Sequence, residues 1–208
     1  TTPPLPTYVG AFAVGPFEIV DGGTSRSGVP MRVITPRGHA RDATYAVEVT
    51  PSILAFVEDF IGMPYPYAKL DALVIPQTTA FSAMEHPGLI TYGEMYLLFD
   101  PDTVTDQQKS WYLETAAHEL AHQWFGNYVT PAWWDDLWLN ESLAEWIGGE
   151  ALRALEPAWA SSVASRSWAM SSDGLASARM IRQPVESRDD VVNAFDGITY
   201  SKGASVLR

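Results

Sequence analysis

The order of apolar segments along the 208 residues predicts an α+β fold. Runs with the alternation of β-strands come first and runs with helical spacing follow, which is the order expected of segregated strands and helices rather than of repeating β–α–β units. Apolar residues make up 47% of the chain, which is ample for a buried core and argues against disorder.

Strand patterns dominate the first half of the chain. Two apolar segments within the first forty residues, YVGAFAVGPFEIV and GVPMRVIT, flank the turn-forming stretch DGGTSRSG and predict β structure. A helical pattern follows over about residues 41–61, and Pro51 predicts either a kink in that helix or its start. Beyond it, KLDALVIP predicts a strongly apolar strand, and GLITYGEMYLLFD predicts one or two more.

Helical patterns dominate the second half. A long helix is predicted over about residues 106–125, with N-caps in PDTVTD and a stop at Gly126. A second helix is predicted over about residues 140–155 and a third over about 159–171. A last helix is expected to open near Thr199.

The composition restricts the ligands and partners of the chain. The net charge of −12 argues against nucleic acid as a partner, since phosphate binding needs a basic surface, and it suits a cationic ligand such as a free amine. Because there is no cysteine, any metal ion must be held by His, Asp or Glu. No apolar run reaches the roughly 18–20 residues of a membrane span. Both ends are typical of a piece of a longer protein, since SKGASVLR stops within an apolar pattern.

The stretch AAHELAHQWFGN carries the strongest chemical signal. In a helix the side chains of His118 and His122, four residues apart, lie on one face and present their imidazoles to the same point. Two converging imidazoles suit a zinc ion. Glu119 lies too far round the helix to bind that ion easily, but it can reach a water beside it. The spacing therefore predicts a metal site with an adjacent carboxylate.

A catalytic zinc site needs a third protein ligand, because it usually has three and keeps a fourth position open. Eighteen residues separate His122 from Glu141, which lies near the start of the second predicted helix. A tight turn at GNYVTPAWW would fold that helix back antiparallel and bring Glu141 to the metal. Glu145, one helical turn further on, competes for this role, and a glutamate at a helix start is also common without a metal. The residues favour Glu141 without excluding Glu145.

These motifs together resemble the gluzincin metallopeptidases, and in particular the M1 family of zinc aminopeptidases. HELAH, eighteen residues and the glutamate of NESLAEW match the family's metal-binding pattern. FSAMEHPGLITYGE is similar to its G-x-M-E-N segment, which binds the free amino terminus of the substrate. PTYVGAFAVGPFE resembles the last strand of its N-terminal β domain, and FDGITYSKGASVL resembles the segment with its catalytic tyrosine. The matches come in family order, from about Pro6 to Leu207.

The resemblance implies a role for each matched residue. It makes His118, His122 and Glu141 the ligands of one Zn²⁺ per chain. It makes Glu119 the general base that takes a proton from the zinc-bound water and later delivers it to the leaving amine. It makes Tyr200 the donor of a hydrogen bond to the oxyanion that forms when the water attacks.

The resemblance also places the substrate. Glu85 would pair with the α-ammonium group of the substrate, and Ala83 and Met84 would line the same cleft beside an extended peptide. Two residues depart from the family pattern, because Ser82 replaces its glycine and His86 replaces its asparagine. A side chain at Ser82 would narrow the cleft or alter the turn. His86 is not expected to bind zinc, since three ligands already account for the site.

The fold implied by the resemblance is a thermolysin-like zincin catalytic domain, with a small mixed sheet on one side, helices and metal on the other, and the cleft between them. Residues 1–38 would be the C-terminal end of a preceding β domain, and residues 39–208 the catalytic domain. The earlier part of that β domain and the helical C-terminal domain of the family are expected in missing parts of a parent protein.

The implied function is hydrolysis of the N-terminal residue of peptides that have a free N-terminus. A thermolysin-like endopeptidase with the same metal chemistry is the first alternative, and it would need neither a free substrate amine nor Glu85. A non-catalytic scaffold that retains the fold is the second alternative. The complete set of zinc ligands, together with Glu119 and Tyr200, argues against a scaffold.

Overall fold

The computed structural model describes residues 4–76, 81–159, 167, 169–171 and 173–208. Within them the strands are β1 (Phe17–Thr24), β2 (Pro30–Pro36), β3 (Leu70–Ile75), β4 (Ala83–Met84) and β5 (Leu89–Gly93). The α-helices are α1 (Thr44–Ile61), α2 (Glu94–Leu97), α3 (Asp106–Ala121), α4 (Leu137–Leu155), α5 (Arg188–Asn193) and α6 (Gly203–Leu207). No helix in this part of the chain has the length and apolar character needed to cross a membrane.

The five strands form one mixed sheet in the order β1-β2-β3-β5-β4. The outer pairs, β1 with β2 and β4 with β5, are antiparallel, whereas β2, β3 and β5 run parallel to one another. The α+β class and the mixed sheet are therefore confirmed. However, α1 connects the parallel strands β2 and β3, so one β–α–β unit is present that the order of segments did not predict.

The first two strands lie within residues 1–38, the segment expected to end a preceding β domain. They are hydrogen-bonded into the same sheet as β3, with Val33 of β2 opposite Ala72 of β3. The sheet is therefore continuous across residue 38, and the division of the chain at that position stays a prediction.

Several predicted elements have different bounds in the structure. The first strand was expected from Tyr8 but begins at Phe17, because Phe12 and Val14 are about 90% exposed and have no face to pack against among the described residues. The second half of GLITYGEMYLLFD forms α2 rather than a strand. α1 passes through Pro51 instead of starting there.

The helices of the second half follow their predicted order. Thr105 caps α3 in a capping box, since its hydroxyl accepts from the backbone N–H of Gln108, whose side chain accepts from the backbone N–H of Thr105. α3 ends at Ala121, four residues earlier than predicted, and α4 begins at Leu137, three residues earlier. The helix predicted over residues 159–171 lies largely outside the described residues.

The core lies between the sheet and the helices α1, α3 and α4. β3 is at the centre of the sheet and almost entirely buried, which explains its continuous apolar sequence. Fully buried side chains from each layer meet here, among them Leu54, Val74, Leu113 and Ile147. The sheet and α1 thereby form a rigid support on which α3 and α4 hold their side chains.

A charged cluster joins β2 to β3. Asp71 is 2% exposed and accepts two hydrogen bonds from the guanidinium of Arg32, both 2.7 Å long, and one of 2.7 Å from Lys69. Burial by itself would raise the pKa of Asp71, but the bonds from Arg32 and Lys69 outweigh it and hold the pKa below its usual range. Because the folded pKa is lowered, this stabilisation is present above the unfolded pKa of about 3.9 and is lost as the pH falls through the folded pKa.

Arg32→Met should lower the free energy of unfolding by about 2 kcal/mol at pH 7, because it leaves the buried carboxylate of Asp71 with Lys69 alone. The difference from the unaltered protein should shrink as the pH falls below about 4, where the carboxyl of Asp71 takes up a proton in the unfolded chain, and it should be lost below the folded pKa. Arg26→Met is the matched control, since Arg26 pairs with the exposed Asp59 and its loss should change the free energy of unfolding much less. Urea denaturation at pH 7 and below pH 4 measures the free energy of unfolding of both variants. Equal losses for Arg32→Met and Arg26→Met at pH 7 would contradict the role given to Arg32 as a partner of the buried Asp71.

Candidate metal centre

Three side chains from α3 and α4 converge on one point. His118 lies in the last turn of α3, His122 caps its C-terminal end, and Glu141 lies in the second turn of α4. The Nε2 atoms of the two histidines are 3.0 Å apart, and Oε2 of Glu141 is 3.5 Å from each of them. The structure thus brings together the three residues that the sequence predicts as metal ligands.

The size and chemistry of this triangle fit a zinc-type ion. Tetrahedral zinc with ligand bonds of about 2.0–2.1 Å holds its ligand atoms roughly 3.3 Å apart. The observed separations of 3.0–3.5 Å bracket that value. Two imidazoles and one carboxylate are also a donor set found in catalytic zinc sites, where a fourth position stays open.

Outer contacts orient each of the three side chains. Nδ1 of His122 is 3.1 Å from the carbonyl oxygen of Phe125, and Nδ1 of His118 is 3.6 Å from Oε2 of Glu145. Glu145, the competing candidate for third ligand, therefore faces the opposite nitrogen of His118. The side chain of Asn140 donates a 2.9 Å hydrogen bond to Oε1 of Glu141, which leaves Oε2 directed at the histidines.

Gly126 makes room for Asn140. Its φ of +119° belongs to the left-handed region that favours glycine. A Cβ at this position would lie 2.1 Å from Oδ1 of Asn140 and 3.4 Å from Nδ1 of His122. The sequence predicted this glycine as a helix stop, and the structure adds that it lets Asn140 reach Glu141.

Glu119 lies beside the triangle and is buried, with 5% of its surface exposed. Its Oε2 has no hydrogen-bond partner in the described part of the chain. Burial raises the pKa of Glu119 to about 7, although His118 and His122 act in the opposite direction. A buried carboxylate with a free oxygen and a pKa near neutrality is suited to accept and release a proton.

Tyr200 approaches the triangle from the other end of the chain. It lies in a π-helical turn, Ile198–Lys202, and its ring stacks on the ring of His118 with the centroids 6.0 Å apart. Burial raises the pKa of Tyr200 well above its usual value, and Glu141 raises it further. The phenol therefore stays protonated at neutral pH and is available as a hydrogen-bond donor.

The guanidinium of Arg179 holds the turn that carries Tyr200. It donates to the carboxylate of Asp196 at 2.7 Å, to the hydroxyl of Thr199 at 2.7 Å and to the carbonyl of Ala194 at 3.0 Å. Asp196 in turn accepts from the backbone N–H of Thr199, and its carbonyl accepts from that of Tyr200. These bonds tie the turn to the segment that carries Arg179.

Glu85 follows the edge strand β4 and is buried, with 5% of its surface exposed. Oxygen and nitrogen atoms of Glu85, Glu119 and His122 all lie within 4.8 Å of one another. The next residue, His86, has its Nδ1 3.0 Å from the carbonyl oxygen of Val9, and it belongs to neither group of potential metal ligands found among the described residues.

A cavity of about 1100 Å³ opens onto the metal triangle. It lies between the β4–β5 edge of the sheet and the helices α3 and α4. All of the site residues predicted from the sequence line it: Ala83, Met84, Glu85, His118, Glu119, His122, Glu141 and Tyr200. Residues that are more than one hundred positions apart in the chain therefore share one cleft.

A comparison with protein-family models identifies the family of the chain. The model described as the Peptidase family M1 domain matches residues 45–208, which is most of the chain. The chain belongs to peptidase family M1.

Relatives from a plant, a yeast and a mammal support this family assignment. The M1 chain is 40% identical over 210 residues to aminopeptidase M1-D of Oryza sativa subsp. japonica, 39% over 218 residues to mitochondrial aminopeptidase 2 of Saccharomyces cerevisiae, and 40% over 218 residues to glutamyl aminopeptidase of Bos taurus. These alignments cover 99–100% of this chain but only 22–24% of each relative. The M1 chain thus spans about a quarter of the length of these relatives.

Four residues of the M1 site were not found by the sequence reasoning as parts of it: Gln123, Asn127, Asn140 and Arg179. Gln123 and Asn127 lie within the quoted metal motif, and Asn140 directly precedes Glu141. Their position in the metal motif or beside a predicted ligand was the available signal for these three residues, and it does not identify a bonding partner. Arg179 carried no such signal.

Glu141→Ala should weaken zinc binding far more than Glu145→Ala. Loss of Glu145, which faces Nδ1 of His118, should cost about 10- to 100-fold in affinity, the range measured for outer residues. Loss of Glu141 should exceed that range, because it removes one of the three converging atoms. Competition titrations with a zinc chelator measure both affinities, and equal effects would contradict the ligand assignment.

Proposed function

We propose that this chain carries the catalytic site of a zinc-dependent aminopeptidase, which hydrolyses the N-terminal residue of peptides. The observation that carries the proposal is the buried carboxylate of Glu85, which lies in the cleft within 4.8 Å of Glu119 and His122 but outside the metal triangle. A second buried negative charge beside the reaction centre suits an α-ammonium group. The relatives that are named aminopeptidases support the same activity.

His118, His122 and Glu141 would hold the zinc ion. Bound there, the ion supplies a Lewis acid that polarises the scissile carbonyl and makes a water more acidic. Because the chain has no cysteine, the donors must be His, Asp or Glu, and this triangle supplies two histidines and one carboxylate.

Glu119 acts as the general base. Its unpartnered oxygen points to a place for the attacking water, and its pKa of about 7 allows it to take the proton at neutral pH. The same carboxyl then delivers that proton to the nitrogen of the leaving amine when the peptide bond breaks. The free carboxylate of Glu119 is restored at the end of the cycle.

Tyr200 stabilises the negative charge that develops on the carbonyl oxygen. Its phenol stays protonated next to Glu141, and its ring is held against His118. A donor that is already oriented costs little reorganisation when the oxyanion forms. The bonds of Arg179 to the Tyr200 turn supply this orientation.

The edge strand β4 aligns the peptide. Ala83 and Met84 pair with β5 on one side, and β4 is the last strand of the sheet and lines the cavity. Its outer backbone groups are available to pair with an extended substrate, as an added strand does. Glu85 at the end of β4 then binds the α-ammonium group and stops the peptide one residue beyond the scissile bond.

The deciding experiment compares a free aminoacyl amide with its N-acetylated twin. The zinc-loaded protein should cleave the free substrate with a much higher kcat/KM, since acetylation removes the charge that Glu85 binds. Cleavage of both at similar rates would favour a thermolysin-like endopeptidase with the same metal chemistry. Cleavage of neither, with zinc bound, would favour a scaffold.

Glu119→Gln should lower kcat by about 10²- to 10⁴-fold while one zinc per chain remains bound, because Glu119 is a base and not a ligand. Metal analysis and steady-state kinetics on the same preparation test both parts. Glu114→Gln is the matched control, since Glu114 lines the cleft one turn before His118 and the proposed mechanism assigns it no role. Loss of zinc from the Glu119→Gln protein would show that Glu119 has another role.

A further inference from the structure

We infer that Gln123 and Asn127 are positioning residues that set the distance between Glu85 and the metal centre. The inference rests on the proposed function, in which Glu85 binds the α-ammonium group of the substrate. It adds that two side-chain amides, located just beyond the C-terminal end of α3, determine where that amine is held relative to the reacting bond.

Gln123 connects the metal helix to Glu85 directly. It follows His122 in the chain, and its side chain is completely buried. Its Nε2 donates a 2.9 Å hydrogen bond to the carbonyl oxygen of Glu85 and a 3.3 Å bond to that of Glu119. One amide group therefore bonds to the backbone of both cleft carboxylates.

The oxygen atom of the same amide accepts two further hydrogen bonds. Oε1 of Gln123 accepts from the backbone N–H of Gly88 at 3.1 Å and from the hydroxyl of Tyr65 at 3.3 Å. A carboxamide has two donor hydrogens and two acceptor positions, so all four are occupied in a single orientation. Rotation or displacement of the amide would leave buried polar groups without partners, which is costly.

Asn127 holds Glu85 from a second direction. Its Nδ2 donates a 2.6 Å hydrogen bond to the same carbonyl oxygen of Glu85. Its backbone N–H donates a 3.0 Å bond to the carbonyl oxygen of His122. Asn127 therefore links the backbone of a metal ligand to the backbone of Glu85 through one residue.

The sheet alone restrains Glu85 weakly. β4 has two residues, and within the described part of the chain it pairs with β5 alone. The two amides add bonds from the helical side of the cleft, so the backbone of Glu85 is tied to both walls. A misplacement of about 1 Å between a binding group and the reacting atoms can cost 10²-fold in rate, which makes this restraint relevant to function.

A buried amide network can also serve stability alone. The two roles differ in what they do to ligand binding. A stability role affects all ligands of the site alike, whereas a positioning role affects only ligands that use the α-amine. The test therefore compares two ligands that bind the metal in the same way and differ only in the amine.

The probes are an aminoacyl hydroxamate, which chelates the metal and has a free α-amine, and its N-acetylated twin. Their Kd values are measured by calorimetry on the zinc-loaded protein and on its Asn127→Ala and Gln123→Met variants. Tyr65→Phe is the matched control, because it removes one bond to Gln123 but none to Glu85. Zinc content is measured on every preparation.

The preference for the free amine is the Kd of the acetylated hydroxamate divided by the Kd of the free one. This ratio should fall by at least about 10-fold in Asn127→Ala and in Gln123→Met, which lies within the 10²-fold cost of a misplaced group. The Kd of the acetylated twin, the zinc content and the preference of Tyr65→Phe should stay unchanged. If Gln123→Met does not fold, Asn127→Ala still decides, since the only bond of its side-chain amide among the described residues goes to Glu85.

Two results would overturn the inference alone: an unchanged preference in both variants, or equal weakening of both hydroxamates. A protein that shows no preference for the free amine before any substitution would overturn the proposed function and the inference with it. The two failures are therefore distinguishable within one set of titrations.

Discussion

The metal centre depends on how closely α3 approaches α4. The two helices run antiparallel, with His118 beside Glu141 and Glu114 beside Gly148. A Cβ at Gly148 would lie 3.0 Å from the carbonyl oxygen of Glu114, so a larger residue would push the helices apart. Ala117 of α3 is also fully buried. Small side chains thus allow the separation at which two imidazoles and one carboxylate meet.

This close approach gathers charge on side chains that are almost entirely buried. Glu85, Glu119 and Glu141 are each 5% exposed, and His118 and His122 lie among them as potential positive charges. Burial alone would raise the pKa of Glu141, but the histidines outweigh it and hold the pKa well below its usual range. Buried carboxylates need such compensation. A divalent ion at the centre and an ammonium group at Glu85 would add positive charge that compensates these carboxylates, so the site is complementary to both.

The cleft has two walls of different construction. One is the edge of the sheet, where β4 and Glu85 lie, and the other is formed by α3, α4 and the Tyr200 turn. The hydrogen bonds of Gln123 cross from one wall to the other, and those of Arg179 fix the turn at the far end. The catalytic groups therefore lie on segments whose positions are determined by buried polar bonds as well as by the apolar core.

The sequence by itself determined the parts of the site that depend on local geometry. The four-residue spacing places His118 and His122 on one helix face in any α-helix, and the cap at Thr105 defines where that helix begins. The choice of Glu141 over Glu145 needed the tertiary structure, because both residues lie on α4 and only its docking on α3 shows which nitrogen of His118 each one faces. Three of the partners of Gln123, namely Tyr65, Glu85 and Gly88, lie 35 to 58 positions away in the chain, so no local pattern could name them. Spacing along one helix is a property of the backbone, whereas contacts between segments exist only once the chain has folded.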